Sequence, residues 1–362
     1  MDKHLKLYKK KRVLLTGHTG FKGSWLAVWL KMLGADVLGY SLKPNTNPSL
    51  FNVLETGSRI HSVIGDINDA KKLKRIFSGF RPEIVFHLAA QPLVRLSYKE
   101  PKLTYETNVI GTVNLLEAVR NTGSVDACLV ITTDKCYENK EWTYGYREND
   151  PLGGYDPYSS SKACAELVTS AYRLSFFHPE QFGKKHRTVL SSARAGNIIG
   201  GGDWNSDRLL PDCIKALAKN ERIIIRNPRA VRPWQYVLEP LYGYLLLTAK
   251  MLANGPESAG AWNFGPSDDF LNVEGLVKLV VRCWGKGRYI IKTKKDLHEA
   301  GMLKLDASKA KTYLGWHPEY NLCEAVKRTV DWYKAYYSAR DKKEMYGYTV
   351  EEINSYPGMC GR

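Results

Sequence analysis

The stretch from Arg12 to Met32, RVLLTGHTGFKGSWLAVWLKM, decides the fold. Its first part, RVLLTG, is an apolar run typical of a buried strand, and its last part, GSWLAVWLKM, is typical of a helix. Between them, Gly17, Gly20 and Gly23 stand in a G-x-x-G-x-x-G spacing. Glycines at a strand-to-helix junction allow a tight turn and let backbone amides approach a pyrophosphate, whose charge the helix N-terminus favours. The stretch therefore predicts a dinucleotide-binding turn.

The same alternation of strand and helix continues to about residue 200. Further strands are predicted in DVLGYS, RIHSVIGD, EIVFHLAA, ACLVITT and TVLSSARAGNIIG, with helical stretches between them. Strands separated by helices form βαβ units and a parallel sheet covered on both faces. We therefore expect an α/β fold, a Rossmann-type doubly wound parallel sheet with a smaller C-terminal α/β region packed on its open end. The expected division is 1–200, 201–340 and a tail at 341–362.

Composition favours a globular protein with one large domain or two unequal ones. The chain has 362 residues, of which 44% are hydrophobic and 25% charged, as is usual for soluble domains. No apolar run approaches the roughly 18 residues of a membrane helix, and the basic N-terminus lacks the apolar segment of a secretory signal. We expect a cytoplasmic location without membrane association. The seven cysteines show neither C-x-x-C pairs nor zinc spacing, so they predict no disulfide framework and no metal site.

The net charge of +16 indicates an anionic ligand. Apart from KKKR and ARDKKE near the two ends, the positive residues are spread along the chain. No arginine-rich helix, zinc finger or RNA-binding sheet signature is present. We therefore expect anion binding in a cleft and no nucleic-acid partner.

The second strand leaves the choice between NAD and NADP open. An acid that binds the adenosine ribose is expected about twenty residues after the glycine turn, but the chain has GYSLK there. Lys43 could meet a 2′-phosphate, or it is an ordinary loop lysine. Asp66, in GDIND after the third strand, is a candidate hydrogen-bond partner for the adenine amine.

The segment YSSSK places Tyr158 and Lys162 four residues apart, on one face of a predicted helix. A cation beside a phenol favours the phenolate, which would lower a pKa that starts near 10. Such a tyrosine can take a proton from an alcohol while a hydride leaves the adjacent carbon. Behind the glycine turn and four βα units, this pair is the best catalytic candidate in the chain.

An acid and a base, Asp134 and Lys135, stand side by side where the strand ACLVI ends. Neighbouring side chains on a strand point to opposite faces, so a salt bridge between them is geometrically poor. The pair is either a solvated turn or a pair of catalytic groups, and the residues alone do not decide between the two.

The segments TGHTGFKG, HLAAQ, TNVIGT, TTDKCYEN, YSSSK, AGNIIGGGDW, RPWQYV and LDASKAKTYLGW resemble the extended short-chain dehydrogenase/reductase family over about residues 12–335. The resemblance implies bound NAD. The cofactor-binding residues it implies are Gly17, Thr19, Gly20, Phe21, Lys22, Gly23, Asp66, Ile67, Leu88, Ala89, Ala90, Tyr158 and Lys162. Lys22 and Trp25 in GFKGSW, the TTDK tetrad and the GGGDW…DRLLPD loop are most similar to the cytidine-linked 4,6-dehydratases of nucleotide sugars.

The resemblance implies a nucleotide-sugar substrate, CDP-glucose, and a 4-keto-6-deoxy product of the kind used in deoxysugar and lipopolysaccharide O-antigen synthesis. In the implied reaction, the catalytic residues are Thr133, Asp134, Lys135, Tyr158 and Lys162. Tyr158 deprotonates the hydroxyl of sugar carbon 4, with Thr133 bonded to the same oxygen, and Lys162 holds the nicotinamide ribose. Asp134 protonates the departing hydroxyl of carbon 6, and Lys135 is the candidate base for carbon 5. These two roles require a protonated Asp134 and a neutral Lys135. If the two groups form an ion pair, both roles fail as stated, and Lys135 could then only stabilise the enolate electrostatically.

The substrate-binding residues implied by the resemblance are Gln91, Arg95, Asn197, Arg208 and Arg232. Asn108 is expected to support the backbone of the site. Trp204 and Trp234 either stack on a base or belong to the core, and Trp316 is expected to pack. The helices at about 105–120 and 158–175 are those that pair subunits in this family, which implies a homodimer.

Two kinds of alternative remain. The first is another enzyme of the same fold, a 4-epimerase or a dehydratase for a dTDP-, GDP- or UDP-linked sugar. The Asp134–Lys135 pair disfavours an epimerase, which has no hydroxyl to expel, but does not choose the nucleotide base. The second is a non-catalytic Rossmann protein that binds nucleotide or RNA, which the intact Thr133, Tyr158 and Lys162 disfavour.

Overall fold

The computed structural model describes residues 3–266, 271–292, 301–341 and 343–360. The strands are β1 Arg12–Thr16, β2 Asp36–Ser41, β3 His61–Ile64, β4 Ile84–His87, β5 Ala127–Ile131, β6 Val189–Ala195, β7 Ile198–Ile199, β8 Ile223–Ile225, β9 Gln235–Tyr236, β10 Gly260–Phe264 and β11 Tyr289–Ile291.

Seven of these strands form one parallel sheet in the order β10-β6-β5-β4-β1-β2-β3. Strands β4 and β5 are buried along their whole length, as expected for strands covered on both faces. The predicted Rossmann-type doubly wound sheet is confirmed. The order reverses where β1 lies between β4 and β2, and ligands of such sheets bind outside the carboxyl ends of the strands at this point.

The helices cover both faces of the sheet. They are α1 Phe21–Met32, α2 Leu50–Val53, α3 Thr56–Arg59, α4 Ala70–Phe80, α5 Val94–Lys99, α6 Pro101–Tyr105, α7 Gly111–Thr122, α8 Pro157–Ser175, α9 Leu209–Ala218, α10 Leu238–Asn254, α11 Val273–Trp284, α12 Leu322–Ser338 and α13 Glu344–Asn354. The single helix predicted to begin at Tyr105 is divided, because a π-helical segment, Glu106–Ile110, separates α6 from α7. None of the helices in the described ranges is long and apolar enough to cross a bilayer.

The region after residue 200 packs against the main sheet. Strand β10 forms its outer edge beside β6, and α10 packs on β5 and β6. Two small parallel pairs, β8 with β11 and β7 with β9, complete this region. The division at residues 200 and 340 stays a prediction, since β10 and α10 share the core of the preceding part of the chain.

Candidate active site

The candidate site lies at the carboxyl ends of the central strands. The turn after β1, the segments after β4 and β5 and the residues between β6 and β7 all reach this edge. The sheet thus brings together the glycine turn, the Asp134–Lys135 pair and Asn197, although they are far apart in sequence.

The glycine turn has the form that a pyrophosphate requires. Gly17 has a φ of +77°, and a Cβ there would lie 2.8 Å from Ala89 N. A Cβ on Gly23 would lie 2.1 Å from Gly17 O, so packing excludes a side chain at both positions. Gly20 has a φ of −79°, and a Cβ there would meet only Gly17 O at 3.4 Å. Neither packing nor backbone conformation requires a glycine at position 20. A phosphate that approaches the uncapped N-terminus of α1 would require one.

The remaining predicted cofactor residues surround this turn. Thr19 Oγ1 donates to Leu42 O over 2.8 Å, which fixes the turn to the end of β2. Lys43 follows there and is exposed, and no acid stands beside it. Asp66 is exposed after β3, where its Oδ1 accepts from Asn68 N at 2.9 Å. Phe21 and Ile67 are buried, while Leu88, Ala89 and Ala90 directly follow β4 beside Gly17.

Helix α8 carries the predicted catalytic pair. Its N-cap, Asp156, accepts from Ser159 N at 2.9 Å, so Tyr158 lies in the first turn and Lys162 one turn later. The Tyr158 hydroxyl is hydrogen-bonded to Thr133, but burial raises the pKa of Tyr158 to about 12. The prediction of a lowered phenol pKa is therefore wrong. Desolvation outweighs the hydrogen bond to Thr133 and the charge of Arg208, which lower the pKa of Tyr158, and Asp134 and Asp156 also raise it.

Lys162 lies against strand β5. Its Nζ donates to Ile131 O at 3.2 Å, and burial lowers the pKa of Lys162 to about 8, although Glu166 acts in the opposite direction. The amine is therefore held at the end of the strand from which Thr133 and Asp134 follow.

The acid–base pair stands on a 3₁₀ turn, Asp134–Cys136, whose N-cap is Thr133. Thr133 Oγ1 donates to Asp134 Oδ1 at 2.8 Å. Lys135 Nζ lies 3.7 Å from the same carboxylate oxygen and donates to Asn197 Oδ1 at 3.4 Å. The chain leaves the strand conformation before Asp134, so the two neighbours meet, which the alternation along a strand would prevent.

One oxygen of Asp134 is unsatisfied. The Asp134 side chain is 1% exposed, and its Oδ2 is buried and has no hydrogen-bond partner among the residues that the structure describes. A buried polar atom without a partner is rare and costly, so it indicates a missing ligand group. A hydroxyl of a bound sugar would provide that partner, beside the phenol of Tyr158.

Lys22 points toward the catalytic residues as well as belonging to the glycine turn. Burial, with the charges of Lys162 and Arg208, lowers the pKa of Lys22 to about 7, although Asp134 acts in the opposite direction. Its Nζ lies 5.9 Å from the ring centroid of Tyr244 on α10. Sequence reasoning assigned Lys22 only to the cofactor, and no spacing in the chain could have linked it to a tyrosine on α10.

The predicted substrate arginines lie on three different segments. Arg208, the N-cap residue of α9, donates from Nη1 to Asp203 Oδ2 at 2.8 Å, and Tyr158 and Lys22 lie within its electrostatic reach. Arg232 Nη1 donates to Val231 O and Gly301 O at 2.9 and 3.3 Å. Arg95 on α5 has its Nε 3.7 Å from Asp207 Oδ1.

Gln91 is engaged within the chain. Its Nε2 donates to Leu93 O at 3.1 Å and to Thr104 Oγ1 at 2.9 Å, and its backbone N–H donates to Asn108 Oδ1 at 2.8 Å. Both hydrogens of the Gln91 amide are thus donated within the chain. In this arrangement, the Gln91 side chain cannot donate a hydrogen bond to a substrate. Asn108 Nδ2 also donates to Ser161 on α8 at 2.8 Å, which agrees with the supporting role expected for it.

Trp204, Trp234 and Trp316 are buried in the main hydrophobic core. Trp204 packs edge-on against Trp332, Tyr333 and Tyr336. The core reading is therefore the one that the structure supports for both Trp204 and Trp234, and the packing expected of Trp316 is confirmed.

A buried network of polar side chains, which the sequence did not predict, lies between β6, α8 and the end of β5. Arg194 on β6 pairs with Glu166 on α8, with Nη2 2.8 Å from Oε2. Glu166 also accepts from Thr132 Oγ1 at 2.5 Å and from Ser192 Oγ at 2.7 Å. Thr132 precedes Thr133, so this network fixes the end of β5 against α8. Within the described ranges, no three His, Cys, Asp or Glu side chains are grouped to hold a metal ion.

Comparison with known proteins gives four informative similarities. A family model described as GDP-mannose 4,6 dehydratase matches residues 14–329. The CDP-glucose 4,6-dehydratase of Salmonella typhimurium is 52% identical over 336 residues, which cover 92% of this chain and 93% of that protein. A dTDP-glucose 4,6-dehydratase of Xanthomonas campestris pv. campestris is 28% identical over 88% of this chain and 92% of its own. The structure of the dTDP-glucose 4,6-dehydratase DesIV of Streptomyces venezuelae, with NAD and TYD bound, has a TM-score of 0.76 at 24% identity and covers 89% of this chain and 97% of that chain.

Proposed function

The chain belongs to the GDP-mannose 4,6-dehydratase family, whose model matches most of its length, and on that premise we propose that it is an NAD-dependent CDP-glucose 4,6-dehydratase. It converts CDP-D-glucose to CDP-4-dehydro-6-deoxy-D-glucose with loss of water. The observation that carries the proposal is the buried Asp134 Oδ2, which lacks a partner in the site of Tyr158 and Thr133. The relative that is 52% identical supports the cytidine nucleotide.

The cofactor site is the glycine turn at the N-terminus of α1. Gly17 and Gly23 let the turn pack closely against Leu88, Ala89 and its own backbone, and Gly20 leaves room for a phosphate at the start of α1. Bound NAD supplies reversible two-electron chemistry, by which sugar carbon 4 is oxidised and carbon 6 is later reduced. The residues of the chain control the protons, and their positions determine which bond breaks.

Oxidation of carbon 4 begins with Tyr158. Its hydroxyl is hydrogen-bonded to Thr133, so the phenol and the threonine converge on one substrate oxygen. Tyr158 takes the proton of the carbon 4 hydroxyl as the phenolate, and Arg208 favours this ionised form because its charge lowers the pKa of Tyr158 against the effect of burial. The ketone formed acidifies the proton on carbon 5, since the resulting carbanion is delocalised as an enolate.

Elimination uses the two groups on the 3₁₀ turn. Lys135, as the neutral amine, takes the proton of carbon 5, and Asp134 protonates the departing hydroxyl of carbon 6. These transfers leave an ammonium and a carboxylate, the pair whose atoms lie 3.7 Å apart. The charged pair formed by elimination is therefore held in contact until Lys135 gives its proton back to carbon 5.

The proton balance closes through Thr133. Reduction at carbon 6 is accompanied by return of a proton to carbon 5, for which Lys135 is the donor. Asp134 has then lost one proton to water, while Tyr158 holds the one it took from carbon 4. Thr133 connects the two, because it is bonded to the Tyr158 hydroxyl and donates to Asp134 Oδ1 at 2.8 Å. This chain of hydroxyl groups returns the proton to the acid.

We extend the proposal to a homodimer built on the helical stretch at about 105–120, which ends in α7, and on α8, in keeping with the family resemblance. Helices α7 and α8 pack on each other, and Ile110, before α7, and Leu167 and Leu174, on α8, are exposed. Leu167 and Leu174 lie two turns apart on one face of α8. Replacement of both by Glu should give a monomer in sedimentation, whereas replacement of exposed Leu7, in the N-terminal 3₁₀ helix, should leave the dimer intact.

The test of the function is turnover of a panel of nucleoside diphosphate glucoses carrying cytidine, thymidine, uridine or guanosine. We expect CDP-glucose to lose water and to give the alkali-dependent absorbance of a 4-keto-6-deoxy sugar, in a reaction that requires NAD. A galacto-configured product without loss of water would identify an epimerase. Turnover of another member of the panel would correct the nucleotide and retain the dehydratase.

A further inference from the structure

Asp207 joins three separate segments at the edge of the site. Its Oδ1 lies 3.0 Å from Arg226 Nη1, directly after β8, and 3.7 Å from Arg95 Nε on α5. Asp207 itself lies in the loop before α9. One carboxylate oxygen thus lies close to two guanidinium groups, one from α5 and one from the end of β8.

Through Asp207, these two arginines are next to Arg208, the arginine that acts on the catalytic residues. Arg208, the neighbour of Asp207, acts electrostatically on Tyr158 and Lys22. A sugar at Tyr158 that is linked to a diphosphate would place the phosphates beyond the sugar, along Arg208 and toward Arg95 and Arg226. The sequence and the family resemblance singled out Arg95 and Arg208 but not Arg226.

The two aspartates of this loop differ in how firmly they hold their arginines. The Asp203 side chain is 4% exposed and pairs with Arg208 at 2.8 Å, and it also accepts from Asn205 N at 3.1 Å. The Asp207 side chain is 46% exposed and that of Arg226 is 40% exposed. Exposed ion pairs contribute little stability because water screens them, so an anionic ligand can displace Asp207 from its arginines but not Asp203 from Arg208.

We propose that Asp207 takes the place of a phosphate group in the ligand-free chain, and that Arg226, together with Arg95, binds the diphosphate of the substrate once Asp207 is displaced. The inference rests on the proposed function, since it requires a nucleoside diphosphate ligand. A diphosphate has more acceptor oxygens and more negative charge than one carboxylate, and guanidinium groups bind such oxygens in pairs. The Asp207 carboxylate then competes with the diphosphate for the two arginines. This competition weakens diphosphate binding and also reduces the binding of other anions.

The experiment compares binding of CDP and of cytidine by calorimetry in the full-length chain. Arg226→Gln should weaken CDP binding about tenfold, because a charge-assisted contact is lost, and leave cytidine binding unchanged. Asp207→Asn should strengthen CDP binding about threefold, because the arginines lose their competitor. Asparagine tolerates the left-handed backbone of Asp207, whose φ is +59°, so this variant keeps the loop conformation. The matched control is Arg222→Gln, an exposed arginine that directly precedes β8, which should change neither ligand.

The sign of the Asp207→Asn effect decides between the two roles of this residue. If Asp207 only holds the loop, the variant weakens CDP binding and the inference is overturned. Equal loss of CDP and cytidine binding in Arg226→Gln, or no loss of either, overturns it as well. The wild-type chain is also titrated with the UDP–uridine and dTDP–thymidine pairs, and the variants are compared on the pair that binds. A wrong nucleotide then appears as weak binding of both cytidine ligands to the wild type, and absence of any turnover counts against the proposed function alone.

Discussion

Two buried acids, Glu166 on α8 and Asp134 in the turn after β5, differ in how completely their hydrogen-bonding capacity is satisfied. In the support network, Glu166 accepts from Arg194, Thr132 and Ser192. Burial opposes its charge, but these partners outweigh burial and lower the pKa of Glu166. In the catalytic turn, Asp134 has one oxygen bonded to Thr133 and the other without a partner.

This difference indicates a structural role for Glu166 and a catalytic role for Asp134. A buried carboxylate with all its partners rigidifies its surroundings, whereas a carboxylate with an open position can exchange a proton with a ligand. Neighbouring residues connect the two acids, since Thr132 donates a hydrogen bond to Glu166 and Thr133 donates one to Asp134. Substitutions in the first group should therefore affect folding, and those in the second should affect turnover.

The largest effect is expected from Tyr158→Phe on the catalytic side. Loss of the general base should lower kcat roughly 10⁴-fold, because the phenol oxygen that takes the carbon 4 proton is removed. Stopped-flow absorbance should detect no reduced nicotinamide after CDP-glucose is added. The free energy of unfolding should stay close to that of the wild type, and a large loss would place Tyr158 with the support network instead.

Arg194→Met should have the largest effect on stability. It leaves the Glu166 carboxylate buried without its cation, which costs about 3–5 kcal/mol in the free energy of unfolding. The double variant Arg194→Met/Glu166→Leu should recover most of this loss in urea unfolding, because the unpaired charge is gone. A double variant as unstable as the single one would contradict the role given to the ion pair.

Asp134→Asn should slow elimination about 100-fold while oxidation of carbon 4 proceeds. Reduced nicotinamide should then accumulate in a single turnover, since the amide cannot protonate the departing hydroxyl. Asp150→Asn, at an exposed turn whose carboxylate accepts from Arg147 N, is the control and should not accumulate it. Equal loss of oxidation in Asp134→Asn and Tyr158→Phe would show that the division of roles is wrong.

A third buried acid, Glu239 on α10, should have the smallest effect and sharpens the contrast. It accepts from Glu319 N, Tyr320 N and the Tyr356 hydroxyl, and burial raises its pKa to about 7 from 4.5. Its proton is bound more tightly in the folded state, so its stabilisation is complete below about pH 4.5 and is lost as the pH rises through 7.

Glu239→Gln should remove this part of the pH dependence. The wild type should lose about 2 kcal/mol more than the variant between pH 5 and 7.5 in urea unfolding. Glu351→Gln, at an exposed position of α13, should keep the wild-type slope. Equal slopes for the wild type and Glu239→Gln would show that hydrogen bonds alone keep this acid ionised.

The fold and the position of the site could be predicted from the sequence because both depend on local patterns. The alternation of strands and helices fixed the sheet, and Gly17, Asp134 and Tyr158 each lie at a strand end or a helix start. What depends on burial and on distant contacts could not be predicted. The raised pKa of Tyr158, the approach of Lys22 to Tyr244 and the internal bonds of Gln91 all arise from packing between segments far apart in sequence.

The most direct test is the fate of deuterium placed on carbon 4 of CDP-glucose. The hydride taken from carbon 4 must return to carbon 6 of the same molecule, without exchanging with water. Mass and NMR spectra of the product should therefore show the deuterium on carbon 6 with no loss to solvent. Deuterium that stays on carbon 4, or that is washed out into water, would contradict an oxidation, elimination and reduction carried out by Tyr158, Lys135 and Asp134.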